Sequence, residues 1–116
     1  MNDINSVNIT GRLVADSDLH ETGAGVPVLN FSIAVNKTRR SRDGELDEVV
    51  NFFDVAIYGD RCRWLSIHLS KGTVVAVNGS PEQQRWTSAD GRPQSKTAII
   101  ASNVRIIDDY RGAGNE

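Results

Sequence analysis

The fold is decided by one stretch of the sequence, Val49-Val50-Asn51-Phe52-Phe53-Asp54-Val55-Ala56-Ile57-Tyr58. Its odd positions from Phe53 to Ile57 are apolar, whereas its even positions carry an aromatic ring at either end with small or polar residues between them. Alternation with a period of two is typical of a strand that buries one face and presents the other. A purely structural strand rarely needs two large rings on its solvent face, so Phe52 and Tyr58 indicate a strand that also binds.

Two earlier segments alternate in the same way. The segment Val7–Leu13 is apolar at its odd positions except for Gly11, and Leu29–Asn36 alternates more strictly. Both are therefore predicted to be strands with one buried face. A glycine inside a strand marks a bulge or a sharp bend, and we expect one of these at Gly11.

A short helix is predicted after the third strand, between Asp60 and Gly72. Asp60 is a suitable residue to cap its start, and Gly72 is a suitable residue to end it. Three apolar residues spaced i, i+3 and i+7 form a stripe that faces the core. They are Cys62, Leu65 and Leu69.

Two more strands follow the helix, Thr73 to about Gln84 and Ser95–Ile107, and the loop between them contains an Asp-Gly turn signal. Three strands, one short helix and two strands is the order of the five-stranded OB-fold, an all-β Greek-key barrel. We therefore expect one OB-fold domain over residues 1–107, with the helix between strands 3 and 4. Residues 108–116 are expected to form a short polar extension.

Length and composition agree with a single soluble domain. The chain has 116 residues, of which 39% are hydrophobic and 24% charged, and its formal net charge is −2. No apolar run approaches the roughly 18 residues of a membrane helix, and the start lacks a signal peptide. The single cysteine, Cys62, has no partner for a disulfide, so a reducing compartment, the cytoplasm, is expected. A nucleic-acid site would need a local basic surface, because bulk charge does not supply one.

Proteins that bind single strands combine aromatic platforms for the bases with cations for the backbone. Phe52, Tyr58 and Trp86 are the candidate platforms. The basic candidates are Lys37, Arg39, Arg40 and Arg42 in one cluster, with Arg12, Arg85, Arg92 and Lys96 around it.

Each of these features also has a structural explanation. An exposed ring on a strand can be a cross-strand packing partner, and the basic run from Lys37 to Arg42 is followed by acids, as in a solvated hairpin. Trp64 lies beside the apolar stripe of the helix, which favours a place in the core. No catalytic triad, phosphate loop or metal-ligand spacing is found, so neither an enzyme nor a cofactor is predicted.

Taken together, four segments resemble the bacterial single-stranded DNA-binding protein family. They are Ser6–Leu13, Val28–Asn36, Phe52–Gly59 and Leu69–Gly79, and the match runs from about Ser6 to Ile107. The resemblance implies a homotetramer around which single-stranded DNA wraps without sequence preference, in replication, recombination and repair. It also implies that bases stack on Phe52, Tyr58 and Trp86.

The chain departs from the family pattern at three places. Many relatives have an aromatic residue where Arg39 stands here. Pro81 falls within the fourth strand, and because proline cannot donate to a ladder we expect a bulge or an edge there. Relatives carry an acidic and hydrophobic C-terminal tip that recruits partners, and no such tip precedes Glu116. The net negative charge, Arg39 and Pro81 keep an OB-fold protein that binds other proteins as an alternative. A nuclease is disfavoured by the lack of clustered carboxylates.

Overall fold

The computed structural model describes residues 2–108, which form six strands and one helix. They are β1 (Val7–Leu13), β2 (Asp18–Glu21), β3 (Pro27–Arg40), β4 (Leu46–Tyr58), α1 (Arg61–His68), β5 (Val74–Thr87) and β6 (Pro93–Asp108). The five predicted strands and the helix are all present. The sequence did not reveal β2, because its four residues are all exposed and show no apolar alternation.

Five strands close into a barrel in the order β1-β5-β6-β4-β3, and β1 pairs back onto β3. The closing pairs are Arg12 with Ala34 and Leu13 with Ile33. The strands are antiparallel except for a short parallel pairing between β4 and β6, and β2 lies on β3 outside the barrel. The predicted five-stranded OB-fold is therefore confirmed. With β2 counted, the helix lies between the fourth and fifth strands.

Two glycines allow strands to approach one another closely. Of the bulge or sharp bend expected at Gly11, the bulge is not found, because β1 pairs with β5 in one unbroken register from Val7 to Arg12; the bend stays a prediction. A Cβ atom at Gly11 would instead lie 2.9 Å from the carbonyl oxygen of Ala34, where β1 closes onto β3. The register of the β5–β6 ladder instead shifts between Val74 and Val75 and between Asn78 and Gly79, with the extra residue on β6 each time. A Cβ atom at Gly79 would lie 2.2 Å from the Ile100 carbonyl oxygen.

The helix closes the barrel with its apolar stripe. Cys62, Leu65 and Leu69 are at most 1% exposed and belong to the core cluster, as the spacing predicted. Leu69 is the C-cap residue, so the helix ends earlier than the predicted end at Gly72. Asp60 occupies the N-cap position, but its side chain makes no capping hydrogen bond. The core prediction for Trp64 is wrong, since its residue is 58% exposed. A single step along a helix turns a side chain by about 100°, which carries Trp64 away from the buried stripe.

Pro81 lies at an edge of the sheet, as expected. It pairs with Ile99 of β6, whereas the pairing between β1 and β5 stops at Gly79. Because β1 does not pair with β5 at Pro81, the missing backbone N–H of this proline costs no hydrogen bond to β1. The predicted C-terminal extension begins at Asp108, the last residue of β6, and the rest of it lies outside the described residues. Among residues 2–108, no helix is long and apolar enough to span a membrane.

Candidate nucleic-acid interface

The outer face of β4 presents two aromatic rings. Phe52 lies opposite Ala34 and Tyr58 lies opposite Val28 on β3, and residues paired in this way point to the same side of the sheet. Phe52 is 67% exposed and Tyr58 is 49% exposed. Six residues of strand place them roughly 20 Å apart. The inward face is less completely buried than predicted, because Phe53 is 37% exposed where β4 leaves the barrel.

Asp54 lies between these two rings on the same face. Its Oδ1 accepts a hydrogen bond from the Ser32 hydroxyl at 2.6 Å, and its Oδ2 lies 3.4 Å from Nζ of Lys96. The Ser32 hydrogen bond is the main reason that the pKa of Asp54 is lowered; partial burial opposes the shift and Lys96 adds to it. The carboxylate therefore anchors Lys96 beside the rings. In the sequence, this role was indicated by a carboxylate residue, Asp54, at an outward-facing position between Phe52 and Tyr58.

Trp86 belongs to the same surface, although it comes from the hairpin of β5 and β6. It lies opposite Gln94, and Gln84, two residues before it, lies opposite Lys96. Since side chains alternate along a strand, Trp86, Gln84 and Lys96 share one face, and the contact between Lys96 and Asp54 joins that face to β4. Trp86 is 48% exposed. We call Phe52, Asp54, Tyr58, Trp86 and Lys96 the platform face.

An open groove of about 490 Å³ runs along this hairpin. It is lined by Gln83, Arg85, Trp86, Thr87, Pro93, Gln94 and Ser95. Arg85 and Trp86 are successive residues of β5, so their side chains lie on opposite faces of the strand. The guanidinium of Arg85 donates to Oε1 of Gln83 at 2.7 Å. The groove therefore offers an indole, a cation and amide groups within a few residues of one another.

Four cations lie on the hairpin arm of β3 and β4, which we call the basic arm. Lys37, Arg39 and Arg40 are at the end of β3 and Arg42 is in the turn, and all four are exposed. Arg40 is on the same side of the arm as Phe52, whereas Lys37 and Arg39 are on the other. Across residues 2–108, none of the four forms an ion pair within 4.0 Å, although Asp47 lies opposite Arg39. Their charges are therefore available to a ligand.

The remaining predicted cations are held by the protein itself. Arg12 shares a row of the sheet with Ala34 and Phe52, but its Nη1 donates to the Gly72 carbonyl oxygen at 2.7 Å. Arg92 lies 3.6 Å from the Asp90 carboxylate. The exposed ion pair of Arg92 contributes little to stability. Arg12 thus lies beside the platform face, of which Lys96 is a part, whereas Arg92 lies at the far end of the β5–β6 hairpin.

Exposed rings on the open side of an OB barrel, with uncommitted cations beside them, define a nucleic-acid-binding protein of the OB class. A profile of the Single-strand binding protein family matches residues 4–107. The chain belongs to this family, which confirms the resemblance seen in the sequence. It is a family of DNA-binding proteins rather than enzymes, in agreement with the prediction that the chain is not an enzyme. In the described part of the chain, no three His, Cys, Asp or Glu residues are grouped as metal ligands.

Relatives in bacteria are similar over nearly the whole chain. The chain is 40% identical over 112 residues to the single-stranded DNA-binding protein of Treponema pallidum, covering 97% of this chain and 62% of that protein. It is 38% identical over 110 residues to the one from Aquifex aeolicus, covering 95% and 74%. The chain thus spans between three-fifths and three-quarters of the length of these relatives.

A solved SSB structure superposes closely on this chain. Plasmodium falciparum SSB in complex with ssDNA matches with a TM-score of 0.83 at 27% identity, covering 93% of this chain and 98% of that one. The single-stranded DNA-binding protein from Thermus aquaticus matches with a TM-score of 0.82 at 24% identity, which supports the fold.

Proposed function

We propose that this chain binds single-stranded DNA without sequence preference through the platform face and the basic arm. The observation that carries the proposal is the exposure of Phe52, Tyr58 and Trp86 on one surface of a closed OB barrel. Each base that stacks on such a ring contributes about 1–3 kcal/mol, whatever its identity. Family membership supports the same substrate.

Phosphates would be met by the cations around the rings. The proposed contacts are Lys37, Arg39, Arg40 and Arg42 of the basic arm, together with Arg12, Arg85, Arg92 and Lys96. Because the net charge of the chain is −2, attraction to DNA depends on these local charges rather than on the whole molecule. The free cations of the basic arm are expected to contribute more than the paired ones, since no internal contact has to be exchanged.

The biological setting follows from the same resemblance. We propose that the domain, residues 1–107, protects and organises single strands during replication, recombination and repair, and that it does so as a homotetramer in the cytoplasm. One buried free thiol, Cys62, is consistent with a reducing compartment.

The test is a titration with oligothymidine followed by tryptophan fluorescence at several salt concentrations. We expect quenching and a loss of affinity as salt rises, with a slope of about −0.7 in log K against log salt for each phosphate contact. Four free cations therefore predict a slope of about −3 or steeper. If no quenching and no complex were found at low salt, the proposal would fail, and a stable complex with another protein would then favour the interaction-protein alternative.

A further inference from the structure

The tryptophan of the helix has no role in the surface described above. Trp64 is 58% exposed, and its ring lies against the ring of His68 with centroids 4.3 Å apart and a tilt of 38°. This contact covers part of one side of the indole and restricts its orientation. An exposed and oriented indole loses little side-chain freedom when a flat ligand stacks on it.

An open groove of about 430 Å³ lies between this helix and the last strand. It is lined by Arg61, Trp64, Asn103, Val104, Arg105 and Ile106. Nη2 of Arg61 donates to Oδ1 of Asn103 at 3.0 Å, which holds this guanidinium across the groove. Arg105 on β6 is exposed, and within residues 2–108 it has no ion pair within 4.0 Å.

The two arginines give the groove a positive charge next to an aromatic ring. The third arginine of this region, Arg63, is directed elsewhere, because its Nη2 lies 2.8 Å from the Glu21 carboxylate on β2. Guanidinium groups in the same groove as an exposed indole suit single-stranded nucleic acid, with a base on the ring and phosphates on the cations. An apolar peptide would bring no negative charge to either guanidinium group.

Arg61, which lines the groove, follows Tyr58 of the platform face closely in the sequence. Helix α1 begins at Arg61, three residues after Tyr58, so no other strand or helix separates them along the chain. We propose that the groove formed by Arg61, Trp64 and Arg105 is a second contact site for single-stranded nucleic acid, reached by strands too long for the platform face alone. This inference rests on the proposed function and extends it to the helical end of the barrel.

The chain contains two tryptophans, so each contact can be observed separately. In Trp86→Phe, Trp64 is the sole indole, and in Trp64→Phe only Trp86 remains. One OB-fold occupies about 4–16 nucleotides, so an oligothymidine of about 8 nucleotides is the short probe and one of about 30 the long probe. We expect both probes to quench Trp86, and only the long probe to quench Trp64.

Affinity gives an independent readout. Trp64→Ala should weaken binding of the long probe by about fivefold or more and leave the short probe unchanged. Arg61→Ala should act in the same direction. Arg63→Ala is the matched control, because it removes a cation from the same helix that faces Glu21 instead of the groove. Circular dichroism of each variant checks that the helix is retained.

The outcomes separate the two claims. If the long probe quenches Trp86 while the emission of Trp64 does not change, the second site is absent and the proposed function stands. If Trp64→Ala alters the oligomeric state but not DNA affinity, the groove is a contact between copies of the chain and the inference is overturned. If neither probe binds the unmodified chain, the proposed function itself fails.

Discussion

The two long hairpins of the barrel end in the same turn but carry different side chains. The turns are Ser41-Arg42-Asp43-Gly44-Glu45 and Ser88-Ala89-Asp90-Gly91-Arg92. In both, the serine hydroxyl donates to the aspartate and the glycine N–H donates to the serine carbonyl oxygen. These serine contacts are the main reason that the pKa values of Asp43 and Asp90 are lowered.

Outside the turns, the two hairpin arms carry different side chains. The basic arm of β3 and β4 holds four cations that form no ion pair with any residue from 2 to 108. The arm of β5 and β6 holds Trp86 and three cations, each with a partner. Arg85 contacts Gln83, Arg92 contacts Asp90, and Lys96 contacts Asp54. The comparison indicates that the turn residues decide where the chain reverses, whereas the strand side chains decide what each arm contributes. We expect the free charges from the first arm and one base-stacking ring, Trp86, from the second.

The largest expected effect is the loss of the ring from the second arm. Trp86→Ala should weaken oligothymidine binding by about 1–3 kcal/mol, because one base loses its platform. The salt dependence should not change, since no charge is removed. Leu46→Ala is the matched control, an exposed apolar residue on the basic arm. Equal affinity for Trp86→Ala and the unmodified chain in filter binding would assign Trp86 to strand packing.

The next largest effect should come from the free charges. Replacing both Arg39 and Arg40 by alanine should make the salt slope shallower by about 1.4, that is, about 0.7 for each lost phosphate contact. Arg92→Ala should change the slope less, because Arg92 already has an acidic partner at 3.6 Å. The slope of log K against log salt, measured for each variant by oligothymidine titration at several salt concentrations, tests this expectation. If Arg92→Ala changed the slope as much per charge as the double variant, the distinction between free and paired cations would be lost.

The smallest effect should be on stability, and it should be the same in both arms. Gly44 and Gly91 have φ angles of +87° and +86°, which an L-residue adopts at a cost of about 1–2 kcal/mol. Gly44→Ala and Gly91→Ala should each lower the free energy of unfolding by about that amount, measured by urea denaturation. DNA affinity should be nearly unchanged. A large difference between the two variants would show that the turns are not equivalent.

Local patterns in the sequence predicted much of this molecule. Alternation placed Phe52 and Tyr58 on the outer side of β4, and helical spacing placed Cys62, Leu65 and Leu69 in the core. The same reasoning failed for β2, which has no apolar alternation, and for Trp64, which one helical step moves out of the core. The contact roles of the site residues stay predictions that the experiments above test.

The sequence by itself determined the order of the five barrel strands and the helix, the turn residues and the rings that face outward, because each depends on neighbours a few residues away. Only the tertiary structure decided which cations are free and which side chains meet. Lys96 reaches Asp54 across 42 residues of chain, and this contact joins Trp86 to the face of Phe52 and Tyr58. Such contacts depend on strand register and barrel closure, which combine distant segments and leave no local pattern in the sequence.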